Sequence, residues 1–143
     1  MRGSITAIRL AGGIVHILLV DDSIEVLEAY SELLEDSGYR TTSCETGLSA
    51  LIRIGAERPD LVVLDLKLAD ISGLDVHRAL RADPTFCSLP ILFVSGVILD
   101  EEVLRAQVCD PEVRLLLKPI HPDVLIRTIR EVLDERGRAP EAA

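Results

Sequence analysis

Five short apolar runs, separated by amphipathic stretches of helical period, constrain this chain more than any other feature. Residues 15–20, 39–44, 61–64, 91–94 and 113–117 are rich in branched side chains and read as strands. Four of them are nearly continuous in apolar residues, as strands covered on both faces of a parallel sheet are, whereas Tyr39-Arg40-Thr41-Thr42-Ser43 is more polar and belongs at an edge. The first helix is capped by Ser23, carries Ile24, Leu27 and Leu34 on its apolar stripe, and ends at Gly38. A second spans 47–56 and is closed by Pro59, and a third spans 73–81 before Asp83-Pro84. A fourth begins near Asp100 and runs to Val108, and a fifth starts with Pro122 in its first turn. Parallel neighbours need a helical crossover between them, so strict β/α alternation over about 120 residues predicts one doubly wound α/β domain with right-handed connections.

Composition narrows the function. No apolar run approaches the roughly 20 residues of a membrane-spanning helix, so no membrane partner is expected. A net charge of −9 repels phosphate backbones, and no cluster of Lys and Arg interleaved with aromatics offsets it, which argues against direct nucleic-acid contact. Cys44, Cys87 and Cys109 show neither CxxC spacing nor a histidine at ligand spacing, and read as reduced, buried thiols of a cytoplasmic protein. His16, His77 and His121 likewise share no metal-ligand spacing, and Tyr30, Tyr39, Phe86 and Phe93 read as packing residues. Residues 1–13 are set apart as an N-terminal extension or leader, 14–136 form the domain, and 137–143 are a flexible tail or the start of a linker.

The chemistry lies in which residues end the strands. Asp21 and Asp22 follow the first, Asp65 the third, Ser95 the fourth and Lys118 the fifth. In an open α/β sheet these C-terminal ends line the ligand crevice, so the five groups converge. Three close carboxylates repel one another unless a cation is present, and an all-oxygen donor set points to a hard divalent ion, with Mg2+ first. Such an ion commonly shares its shell with phosphate oxygens. Lys118 and Ser95 are suited to stabilise charge on a phosphoryl group, and Asp65 is the central nucleophile, attacking phosphorus to give an acyl phosphate. The chain has thirteen arginines and only Lys67 and Lys118 as lysines, so a lysine placed directly before Pro119 stands out. A cis Lys118-Pro119 bond is one way of aiming it inward.

The segments Ile17-Leu18-Leu19-Val20-Asp21-Asp22-Ser23, Asp60-Leu61-Val62-Val63-Leu64-Asp65-Leu66 with Gly73 eight residues past Asp65, Pro90-Ile91-Leu92-Phe93-Val94-Ser95-Gly96 and Leu117-Lys118-Pro119 occur in this order. Together they resemble the receiver domain of two-component response regulators, over residues 15–136. The resemblance implies a CheY-like, flavodoxin-like (βα)5 fold with strand order 2-1-3-4-5. It implies that Asp65 accepts a phosphoryl group from the phosphohistidine of a sensor histidine kinase or phosphotransfer protein. Asp22 and Asp65 would ligate Mg2+ directly, Asp21 mainly through water, and Lys67 through its backbone carbonyl. Ser95 would be the hydroxyl switch and Lys118 the salt-bridge partner of the phosphoryl group. Output would be a shift of the surface formed by the fourth helix, fifth strand and fifth helix toward a downstream protein target, an excised output domain or a phosphorylation-dependent homodimer. Such a module catalyses only its own phosphorylation and dephosphorylation and is not a metabolic enzyme.

Three positions depart from the family pattern. Leu115 stands where an aromatic usually couples pocket to surface, Ala69 replaces a common proline and loosens the loop, and Cys109-Asp110-Pro111 precedes the fifth strand in place of Gly-Ala. Leu115 keeps an alternative open: a receiver-like interaction domain that works without phosphorylation. A haloacid-dehalogenase-type phosphatase would need a second Asp where Lys67 stands, and a flavin carrier would need hydroxyl and glycine donors where Asp21-Asp22 stand.

Overall fold

The computed structural model describes residues 9–10, 13–96 and 101–135. The proposed tail at 137–143 and the helix-starting Asp100 lie outside the described residues, as does most of the 1–13 segment. Arg9–Leu10 of that segment pairs antiparallel with Gly13–Ile14 at its boundary with the domain. The main chain then alternates β1 (His16–Val20), α1 (Ile24–Asp36), β2 (Arg40–Cys44), α2 (Gly47–Glu57), β3 (Leu61–Asp65), α3 (Gly73–Ala82), β4 (Ile91–Ser95), α4 (Glu101–Cys109), β5 (Val113–Leu117) and α5 (Pro122–Glu135).

The five strands form one parallel sheet in the order β2-β1-β3-β4-β5, with the polar strand at one edge as its sequence requires. Successive side chains of a strand face opposite ways, and the core splits accordingly into two layers. Ile17, Leu19, Val63, Leu92 and Val94 pack with Leu27 and Leu34 of α1 and with Leu125, Ile129 and Leu133 of α5. Leu18, Val20, Val62, Leu64 and Phe93 pack on the other face with Ala50 and Ile54 of α2 and Val76 and Leu80 of α3. Burial of each Val, Leu, Ile or Phe among these is worth about 1.5–3 kcal/mol, which is why β1, β3 and β4 carry apolar residues at both alternations.

Local chemistry sets the helix starts. Ser23 Oγ accepts the Val26 N–H at 3.3 Å, Thr46 and Ser49 form a reciprocal capping pair at α2, and Ser72 and Asp75 do so at α3. Gly38 leaves α1 at a φ of +95°, a conformation that glycine adopts without a Cβ penalty.

The cysteine expectation needs correction. All three thiols are free and Cys44 is buried, but Cys87 and Cys109 are exposed, because one sits in the loop after α3 and the other on the last residue of α4. His16 and His77 are structural. His16 Nε2 lies 2.8 Å from Thr42 Oγ1, and burial together with Arg40 holds its pKa below 6.5 against the pull of Glu57 and Asp60.

His77 belongs to a cluster that replaces the family's small residues before β5. Asp110 Oδ2 lies 2.7 Å from His77 Nε2 and accepts from Arg81 Nε at 2.5 Å, while its Oδ1 accepts the Glu112 N–H at 3.0 Å. The remaining Arg81 nitrogens donate to the carbonyls of Phe86 (3.1 Å) and Leu89 (2.8 Å). One guanidinium thus joins the end of α3, the loop into β4 and the turn into β5.

Candidate functional site

The parallel register aligns the strand ends. Val20 lies opposite Leu64, Asp65 opposite Val94 and Ser95 opposite Leu117, so the residues that finish β1, β3, β4 and β5 form one rim. The ladder continues a step past the strands: the Asp21 N–H donates to the Cys44 carbonyl (3.1 Å), Leu66 to Val94 (3.2 Å) and Lys118 to Ser95 (2.7 Å). Strands expected to stop at Leu64 and Val94 take in Asp65 and Ser95 as their last residues. Sheet hydrogen bonding therefore extends to the residues that carry the site.

Asp21, Asp22 and Asp65 each bring a carboxylate oxygen within 4.8 Å of the others, with Asp21 and Asp65 buried and Asp22 exposed. Lys118 Nζ donates to Asp21 Oδ2 at 3.0 Å and to Asp65 Oδ2 at 3.4 Å, and the Lys118-Pro119 bond is cis. Lys67 is exposed, but its N–H donates to Asp65 Oδ1 at 3.2 Å, which holds the β3–α3 loop against the carboxylate. Ser95 is only 2% exposed at the end of β4. The structure thus brings together the carboxylates, Lys118 and the Lys67 backbone, with Ser95 on the same rim.

Beneath the carboxylates is a tight apolar recess lined by Leu19, Leu27, Tyr30, Val63 and Val94. Burial there pushes the Asp65 carboxyl above its ordinary pKa and Asp21 adds to this, while the Lys67 N–H and Lys118 oppose it. Burial works against the Lys118 charge, yet bonding and attraction to Asp21 and Asp65 outweigh it and raise its pKa. Three carboxylates and one ammonium leave two negative charges in an all-oxygen donor set, which fits a hard divalent cation. Tyr30, read from sequence as a packing residue, also borders this recess. Its spacing from the Ser23 cap and from Leu27 on α1 is the available signal.

Gly73 is required by close approach. A Cβ there would lie 2.5 Å from the Asp65 carbonyl oxygen and 2.9 Å from Leu66 Cα, both backbone atoms. Gly73→Ala is expected to cost about 1–3 kcal/mol of stability, and to displace the loop behind Asp65. Denaturant midpoints of the two proteins check this, and an unchanged midpoint would show that the loop yields freely.

The sequence profile of the response regulator receiver domain matches residues 17–130. The chain belongs to the response regulator receiver family. It is 31% identical over 121 residues to the polar-differentiation response regulator DivK of Brucella anthropi, covering 83% of this chain and 96% of that one. Among solved structures it is similar to the chemotaxis protein CheY4 of Vibrio cholerae, with a TM-score of 0.76, 27% identity, and coverage of 83% of this chain and 98% of that chain. It also matches a CheY-like receiver domain protein of Methanospirillum hungatei, with a TM-score of 0.77, 27% identity, and coverage of 87% and 97%. As a receiver domain it is a two-component signalling module. Among the described residues no helix is long and apolar enough to cross a membrane.

Proposed function

We propose that this receiver is a phosphoacceptor whose Asp65 takes a phosphoryl group from the phosphohistidine of a sensor histidine kinase or phosphotransfer protein. The observation that carries the reading is the placement of the buried Asp65 carboxylate beside two further aspartates and within 3.4 Å of the Lys118 ammonium. Asp22, Asp65 and the Lys67 carbonyl would hold Mg2+, with Asp21 acting mainly through water, and bound Mg2+ would supply charge neutralisation between two anions. An Asp65 oxygen forms its bond to phosphorus as the phosphorus–nitrogen bond breaks, and the departing imidazole nitrogen keeps the electron pair and is protonated from solvent. Lys118, held in place by Asp21, is positioned to pair with a phosphoryl oxygen, and the Ser95 hydroxyl would donate to another.

The phosphorylated form would favour a different arrangement of the α4-β5-α5 surface, controlling binding of a downstream protein target, an attached output domain or a second copy. We take residues 14–136 as the receiver unit and the cytoplasm as its location. The test is intact mass after incubation with acetyl phosphate, with and without Mg2+. A Mg2+-dependent gain of one phosphoryl group supports the reading. No gain from acetyl phosphate or from a phosphohistidine donor overturns it and favours an interaction domain working without phosphorylation. That second reading has one observation in its favour: the usual aromatic position holds Leu115, packed half-buried against the α2–α3 core layer.

A further inference from the structure

The loop that carries Lys67 is tied at its far side to a different helix. Asp70 turns its carboxylate onto the first turn of α2, with Oδ1 accepting the Gly47 N–H and Oδ2 the Leu48 N–H, both at 2.9 Å. A helix start leaves such amides without intrahelical partners, and its dipole favours an anion there. Yet α2 already has its own cap, since Thr46 Oγ1 accepts the Ser49 N–H at 3.1 Å. The two Asp70 bonds therefore do more than start a helix: they fix the loop to it.

The neighbouring contacts agree. Ile71 sits so close to α2 that a Cβ on Gly47 would lie 2.5 Å from its Cγ1. The loop is closed at its base by the Gly73 N–H on the Leu66 carbonyl at 2.9 Å, and Lys67 N–H is held by Asp65 Oδ1. Position 69, expected from sequence to leave the loop loose because it is alanine, is followed directly by the residue that anchors it.

We propose that Asp70 is a positioning residue for the metal site, clamping the β3–α3 loop to the start of α2 so that the Lys67 carbonyl faces the Asp21, Asp22 and Asp65 cluster. The inference rests on the reading of that carbonyl as a Mg2+ ligand. A carboxylate serves both amides at once, whereas an amide side chain offers only one acceptor oxygen and alanine none.

The test titrates the native chain, Asp70→Ala, Asp70→Asn and Thr46→Ala with MgCl2, following the backbone amide shifts of Lys67 and Leu68, with amide exchange measured before metal is added. Asp70→Ala is expected to weaken Mg2+ binding by about tenfold, the order seen when partners that orient a metal ligand are removed, with Asp70→Asn intermediate. The Lys67 and Gly73 amides should exchange faster in Asp70→Ala but not in Thr46→Ala, which loosens only α2. Unchanged Mg2+ affinity in Asp70→Ala, with faster exchange confined to Gly47 and Leu48, would reduce Asp70 to a helix brace and overturn the proposal. Equal weakening in Thr46→Ala would overturn it too, by tracing the effect to α2. Should Asp70→Ala fail to fold, the Asp70→Asn comparison decides in the same way. No Mg2+ binding by the native chain, or binding that survives Asp65→Ala, would instead remove the underlying reading of the metal site.

Discussion

Asp65→Ala is expected to take up no phosphoryl group under conditions in which the native chain gains one. Asp65 is the carboxylate at the end of the central strand, and Asp21, though also buried, is engaged by the Lys118 ammonium at 3.0 Å and by the Ser23 N–H at 2.9 Å. The loss should be chemical: without Asp65 the Lys118–Asp21 pair remains, and the circular dichroism spectrum should not change. Retained uptake would assign the phosphoacceptor elsewhere. Lys118→Ala should act on the same reaction from the other side, slowing uptake by about a hundredfold as one charge-stabilising group is lost. It also leaves Asp21 and Asp65 facing each other with no cation, so its folding stability should fall and be largely restored by Mg2+. A Lys118→Ala chain that is indifferent to Mg2+ would contradict this placement of charge.

The second large effect lies away from the chemistry. Asp110→Ala is expected to destabilise the fold by about 3 kcal/mol, because it strands the partly buried Arg81 guanidinium and removes the partner of His77. The pH dependence carries a sign. Burial disfavours the Asp110 charge, but Arg81, His77 and the Glu112 N–H outweigh it and hold the carboxyl below its ordinary value. As pH falls the unfolded chain takes up this proton first, so the stabilisation is complete above the unfolded value of about 3.9 and is lost as pH drops through the lower folded value. Asp110→Asn should flatten that acid limb of a denaturant-midpoint profile. An unaltered slope would mean that Arg81 is held by the Phe86 and Leu89 carbonyls alone.

Alternation of the apolar runs was enough to read the sheet and its polar edge, because strands buried on both faces admit few other patterns. Asp21, Asp22, Asp65, Ser95 and Lys118 were legible for a related reason: each stands where an apolar strand stops, and the parallel register brings strand ends together. Nothing local announces that Asp110 meets Arg81 and His77, or that Asp70 reaches α2. Those contacts join residues 22 to 33 positions apart, and each partner alone reads as an ordinary turn or surface residue. Cys87 and Cys109 were misjudged on the average burial of cysteine, which a loop and a helix end override.

The unequal exposure of the thiols makes this receiver its own reporter. The chain has no tryptophan, so its intrinsic emission is weak. Burial pushes the Cys44 thiol up and shields it, leaving Cys87 and Cys109 as the reactive pair toward a maleimide dye. Cys109 closes α4, the helix that leads from the Ser95 strand into β5, so a label there rides on the surface through which a phosphoryl signal would leave. Spectroscopy of the proposed phosphorylated form can therefore start from a native cysteine, with the exposed Cys87 substituted so that the dye reports from Cys109 alone.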